Sequence, residues 1–252
     1  MKSSWALPLI LLVATFPGCS RNQDSAVRAT SLQRPITPID AATAGAITGT
    51  VKIEGVIPAA GKIDMSADAA CGSRPNFNEA VVANNGDLAN TFVYVKSGLG
   101  DRGFAIPRQA LEIRQHGCRY EPHVAGVMTG QSVEFVNEDQ TTHNIHAMPR
   151  SGGQWNESQM SNSDPIIKTF VRAEIMIPVK CNQHPWMRMY LNVVDNPFFA
   201  VTGTEGRFEI KGLPPGTYTI AAVQEKLGEQ QTTLTIGPKE SKIADFTFQY
   251  RQ

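Results

Sequence analysis

The chain of 252 residues has no surplus of charge of either sign: Lys plus Arg and Asp plus Glu both total 23. That balance excludes a broadly basic footprint for nucleic acid or an anionic membrane surface, although it is silent on local patches. Helical periodicity is missing too, since no long segment repeats its apolar residues every 3.6 positions. Nowhere is there an apolar run long enough to span a bilayer. Cysteine is scarce, at four residues. No nucleophile–base set and no paired carboxylates stand out, so the chain is not read as an enzyme. With 41% hydrophobic and 18% charged residues, it still holds enough apolar material to bury a core.

The N-terminus reads as a targeting segment. Lys2 supplies positive charge, Ala6 to Phe16 is a short apolar stretch, and Pro17-Gly18-Cys19 follows. A small residue followed by Cys at this place resembles a bacterial lipobox, with Phe16 where Leu is usual and Pro17 where a small residue is usual. The resemblance implies a signal peptide over 1–18 and lipid attachment at Cys19, which anchors the protein to a membrane. Residues 19–44, polar and with Pro35 and Pro38, are expected to form a flexible tether. An ordinary secretory signal is the alternative. Both readings export the chain to an oxidising periplasmic or cell-envelope compartment.

From Ala46 onward the pattern is that of short strands and turns. Ile47-Thr48-Gly49-Thr50-Val51-Lys52-Ile53 alternates, as do Phe92-Val93-Tyr94-Val95, Leu111-Glu112-Ile113, Val133-Glu134-Phe135-Val136, Ile175 to Cys181 and Tyr190 to Val194. Asn84-Asn85-Gly86-Asp87 is a turn. Met148 to Ser163, rich in Gly, Ser and Asn, reads as a long loop. These signals predict an all-β chain built as sandwiches.

One heptapeptide concentrates chemistry: Cys181-Asn182-Gln183-His184-Pro185-Trp186-Met187. Upstream lies His143-Asn144-Ile145-His146. Strand alternation places Ile175, Ile177, Val179 and Cys181 on one inward face, and Met187, Met189, Leu191 and Val193 on another. By the same rule His143 shares a face with Ile145, and His146 points the other way. Two imidazoles, one thiolate and a thioether are the donor set of a blue-copper centre, whereas Met is a poor ligand for tetrahedral zinc. Asn144 is a candidate brace for the Cys181 loop, and Pro185 and Trp186 for keeping water out. His116 and His123 read as surface or hydrogen-bonded residues. If Cys181 binds metal and Cys19 carries lipid, Cys71 and Cys118 remain to form a disulfide. The pairings 71–181 and 118–181, or three free thiols, each leave something unexplained.

Cys181-x-x-His184-Pro185-Trp186-Met187, with His143-Asn144-Ile145-His146 upstream, resembles the cupredoxin family over roughly residues 125–195; the ligand-loop spacing is of the amicyanin type. The resemblance implies a Greek-key β-sandwich and one type 1 mononuclear copper held by His143, Cys181, His184 and Met187. It implies single-electron exchange with a redox partner protein, His184 being nearest solvent. Two departures stand out: the long insert between His143 and Cys181, and Met189 at the spacing a plastocyanin-type loop uses for its axial donor. The chain has no further His-x-His pairs of the kind a trinuclear copper cluster needs.

Gly206-Arg207-Phe208-Glu209-Ile210 and Leu213-Pro214-Pro215-Gly216-Thr217-Tyr218 are similar to the carboxypeptidase regulatory-like (transthyretin-like) β-sandwich module. The expected division is therefore a cupredoxin-like domain over 45–195 and a small β-module over 196–252. Gly49 to Pro58 resembles the opening strand of such modules, which points to one continuous β structure. Two other functions share these residues: a cell-envelope protein that contacts glycan or protein, and a copper delivery or storage protein.

Overall fold

The computed structural model describes Met1 and residues 34–72 and 75–251. The expected signal segment beyond Met1, Cys19 and most of the expected tether lie outside the described residues. Among the described residues the chain is all-β, with no helix and hence none long and apolar enough to cross a membrane.

Two sheets enclose the core that carries the heptapeptide. One orders Ile166–Thr169, Ser132–Asn137, Leu111–Gln115 and Tyr120–Glu121; the other orders Trp155–Gln159, His143–Ala147, Glu174–Lys180, Arg188–Val194 and Val124–Met128. Val133, Phe135 and Ile113 from the first sheet meet Ile145, Val179 and Leu191 from the second, all fully buried. Cys181, Met187 and Met189 belong to the same cluster. The inward face read from alternation is therefore the real one, with one exception. Met176 takes a positive φ of 58° and the ladder slips between Glu174 and Ile177. This bulge turns Ile175 away, to pack with Phe92 and Val124, because an extra residue inverts the facing of everything on its far side.

A second pair of sheets is built around Gly45–Glu54. That strand pairs antiparallel with Arg207–Leu213 and parallel with Ser241–Ile243 and Phe246–Gln249. Facing it are Phe199–Val201, Phe92–Ser97, Gly216–Gln224 and Gly228–Ile236. Ile47, Val51, Val93, Ile210, Ile220 and Phe248 fill the space between. The sheets thus do not follow the expected division at 195/196. Gly45–Glu54, Ala83–Asn84, Asp87–Leu88 and Phe92–Ser97 share one pair of sheets with the strands of 199–249, Lys62–Ile63 and Asn76–Phe77 form a ribbon of their own, and 111–194 form the other pair. A strand's partner is fixed by burial and register, not by its nearest neighbour in the chain. The opening strand's resemblance to the C-terminal module was the signal for this pairing.

The segment 148–163, expected as a loop, contains the strand Trp155–Gln159 paired to His143–Ala147. Its Asn, Glu, Ser and Gln conceal a strand from any reading based on apolar alternation. The two structures meet at Phe92, Tyr94, Val124, Val194, Ala221 and Val223. Gly126 allows this approach: a Cβ there would lie 2.6 Å from ring carbons of Phe92 and Phe199.

Gly126→Ala is expected to cost about 1–3 kcal/mol of stability through overpacking, measured by urea denaturation. Gly153→Ala, where no atom lies within 4 Å of an added Cβ, serves as the control. Equal midpoints for the two variants would show that this junction is not tightly packed.

Candidate metal centre

The site forms where three segments converge. The first is the turn leading into His143–Ala147. Asn137, buried at the end of its strand, accepts the Asp139 N–H through Oδ1 at 3.0 Å and donates from Nδ2 to the Thr141 and Gln159 carbonyls. This Asx-type turn aims Asp139 back at His143. The second is the heptapeptide. The Cys181 N–H donates to the Met187 carbonyl at 3.0 Å and the Met187 N–H to the His184 carbonyl at 2.9 Å. These bonds fold the loop so that Cys181, His184 and Met187 are all buried. The third is residues 64–72, tied to the sheets by the Cys71–Cys118 disulfide, whose Cα atoms are 5.4 Å apart. The pairing reached by elimination is the one present, and Cys181 is the free cysteine among the described residues.

His143 Nδ1, His184 Nδ1 and Cys181 Sγ face one another. The two nitrogens are 2.9 Å apart, and Sγ is 3.6 Å from His184 Nδ1. Each ring turns its other nitrogen to a carboxylate: His143 Nε2 to Asp139 Oδ2 at 2.9 Å, and His184 Nε2 to Asp68 Oδ2 at 3.0 Å. Asp68 is held below the usual carboxylate range by Thr141 and the Ala70 N–H, burial opposing, with His184 adding to it. Burial pushes Asp139 up, but His143 and the N–H groups of Cys118 and Gly117 outweigh it, and its pKa is also lowered. Both carboxylates are therefore acceptors, and both Nε2 atoms donate. In neutral rings that leaves two Nδ1 lone pairs pointing at each other. A proton on one ring or a cation beside both removes the repulsion.

The thiol is prepared in the same way. Burial opposes ionisation of Cys181, but His143 and the N–H groups of Asn144, His184 and Gln183 lower its pKa to about 6. The Asn144 N–H lies 3.2 Å from Sγ. For His143, burial works against protonation, yet Asp139 and Cys181 together raise its pKa. A buried thiolate beside two inward lone pairs is a group able to hold a metal ion. Two overlapping groups, Asp68–Cys71–His184 and Cys118–Asp139–His143, have their sulfurs committed to the disulfide.

The remaining sequence candidates divide. Met187 and Met189 are both buried in the same core. His146 turns outward and meets Asn182 Oδ1 at 3.0 Å. Asn144 acts on Cys181 through its backbone, while its side chain bonds Ser158 Oγ at 3.0 Å. Trp186 lies against His184, with ring centroids 5.2 Å apart. His116 is exposed beside Glu138. His123, expected at the surface or hydrogen-bonded, is buried and has neither ring nitrogen bonded. His184, expected nearest solvent, is the most exposed of the four expected donors at 4%, but Asp68 covers its outer edge. Asp68 and Asp139 escaped the sequence reading. Asp139 stands four residues before His143, a weak local cue. Asp68 comes from 116 residues away, with no cue at all.

In protein stripped of metal, the ultraviolet absorbance of the Cys181 thiolate is expected to appear as pH rises through about 6. His143→Ala removes the strongest influence that lowers the thiol pKa and moves that midpoint upward, toward the ordinary thiol value of about 8.5. A midpoint that the substitution leaves in place would refute the thiolate–imidazole pairing.

No family model matches the chain, and no curated protein matches it. Solved structures do align with part of it. A copper-containing nitrite reductase from Thermus scotoductus SA-01 aligns over 40% of this chain and 26% of its own, with 18% identity and a TM-score of 0.33. A purple cupredoxin from Nitrosopumilus maritimus aligns over 33% of this chain and 98% of its own, with 20% identity and a TM-score of 0.29. An amicyanin variant in its oxidised state aligns over 40% of this chain and 97% of its own, with 19% identity and a TM-score of 0.31. The chain thus spans about a quarter of the nitrite reductase and nearly all of the two small proteins.

Proposed function

We propose that His143, Cys181 and His184, with Met187 as the weak fourth donor, hold one copper ion, and that the protein passes single electrons to and from a redox partner in the cell envelope. The observation that carries this reading is the convergence of two imidazole Nδ1 atoms and one thiolate in a buried spot whose outer nitrogens are already satisfied. Copper bound there supplies a one-electron couple. Asp139 and Asp68 orient the rings, and about 1.5–3 kcal/mol is typical of each such hydrogen bond to a charged group. The Asn144 N–H steadies the sulfur, and the apolar wall of Ile145, Val179 and Met189 excludes water. A set of donors held from outside in this way changes little when the metal changes oxidation state, which favours fast electron exchange.

A lipid anchor at Cys19 and export to the periplasm or cell envelope belong to the same proposal. So does a division of labour in which the 111–194 sheets carry the metal and the sheets around Gly45–Glu54 face other envelope components. One observation favours copper delivery or storage as the second reading: His184 presents no free edge to a partner, because Asp68 covers it.

Adding Cu(II) is expected to produce an intense visible absorption band from the Cys181 sulfur. Cys181→Ser abolishes the band, and Met187→Leu keeps it while shifting the reduction potential. A colourless copper complex rules out the electron-transfer reading. Asp68→Ala separates the two readings. For an electron carrier, stopped-flow oxidation by a small anionic oxidant speeds up while copper retention holds. For a storage protein, the main effect is faster loss of Cu(I) to a chelator.

A further inference from the structure

A second cluster lies beside the heptapeptide but outside the donor set just described. A cavity of about 160 Å³ is lined by His123, Glu79, Glu225, Trp186 and Arg119, among others. His123 and Glu225 have side chains 4% and 2% exposed. Both ring nitrogens of His123, both carboxylate oxygens of Glu225 and the Trp186 Nε1 are buried with no well-formed hydrogen bond, although the Tyr190 hydroxyl faces Glu225, and burial together with that carboxylate raises the Tyr190 pKa. Buried polar atoms are nearly always paired, and a concentration of five unpaired ones around one cavity calls for an occupant.

The spacing says which kind. His123 Nε2 and Glu225 Oε1 are 3.6 Å apart, too far for a good hydrogen bond. Two ligands each about 2.1 Å from one tetrahedral ion stand about 3.4 Å apart. On the other side of the ring, His123 Nδ1 faces Glu79 Oε2 at 3.9 Å, and Glu79 is held by Arg119 at 3.3 Å. Carboxylates flank both ring nitrogens, so a cation held between Nε2 and Glu225 puts the ring proton on Nδ1, on the side of Glu79. Carboxylate, imidazole and metal in that order is a recurring way of holding a histidine ligand.

We infer that His123 Nε2 and Glu225 bind a divalent transition cation of the zinc class, with Glu79 as the positioning residue behind His123. Trp186 Nε1 donates to one of the two solvent ligands that complete a tetrahedral set. This donor set, one imidazole and one carboxylate without sulfur, differs from that of the Cys181 centre and selects for a different ion. Its three segments are far apart in the chain. His123 precedes the strand Val124–Met128, Glu79 follows Asn76–Phe77, and Glu225 sits in the turn after Gly216–Gln224. The ion therefore fastens the C-terminal hairpin to the wall that carries Trp186 and Met187. Nothing in this inference depends on the Cys181 centre holding copper.

Zinc bound to the full chain, counted by equilibrium dialysis and elemental analysis, tests the assignment. Glu225→Gln and His123→Gln are each expected to lose one equivalent relative to the parent, while Cys181→Ser keeps that equivalent. Glu79→Gln weakens it by about 10–100-fold. Crystals grown with zinc should give an anomalous peak between His123 Nε2 and Glu225 Oε1. An unchanged zinc count in Glu225→Gln, or ordered water in place of that peak, overturns the proposal. A loss confined to Cys181→Ser overturns it as well, since it assigns the zinc to the other centre.

Discussion

The hydrogen bonds from His143 to Asp139 and from His184 to Asp68 set the direction of both imidazoles, and the rest of the centre depends on them. A neutral ring whose outer nitrogen donates to an ionised carboxylate keeps a bare lone pair on its inner nitrogen. Two such rings facing each other beside a thiol form an arrangement that is uncomfortable without a cation or an extra proton. The fold accepts that discomfort because each carboxylate is itself held: Asp139 by backbone donors on Gly117 and Cys118, Asp68 by Thr141 and Ala70. Packing alone would locate the rings; these bonds choose which face of each ring is presented.

Much of this was readable in the sequence, for reasons that can be stated. Cys181, His184 and Met187 lie within one short loop, so their convergence needs no knowledge of tertiary structure. His143 was separable from His146 because strand alternation is strict. The same alternation failed at Ile175, where the bulge at Met176 resets the facing, and at Trp155–Gln159, where polar residues on both faces leave no pattern to read. The carboxylates were the larger omission. An acidic residue in a loop has no signature until the chain folds it against a histidine, and Asp68 reaches His184 only because a segment far upstream lies over the heptapeptide. His184 is the most exposed of the four expected donors, as expected, but the same upstream segment covers its outer edge.

The two pairs of sheets also explain why the opening strand mattered. Gly45–Glu54 supplies none of the proposed metal-binding residues, yet it is the spine on which C-terminal strands assemble. Their hairpin in turn packs Phe92, Ala221 and Val223 against Val124 and Val194. The wall of the Cys181 core is thereby supported from behind by residues drawn from both ends of the described chain, with Gly126 marking how closely they approach.

The Cys71–Cys118 bond has a consequence for how the two histidines are held. Asp68 belongs to the turn that ends at Cys71, and Asp139 accepts the N–H of Cys118. One covalent link therefore ties together the two segments that aim the two histidines. Without that link the segments are held by non-covalent contacts alone, among them the hydrogen bonds from Thr141 to Asp68, from Asn76 to the Gly117 carbonyl, and from the Gly117 and Cys118 N–H groups to Asp139. Oxidation closes the link and fixes the two segments to each other, which narrows the positions that Asp68 and Asp139 can take.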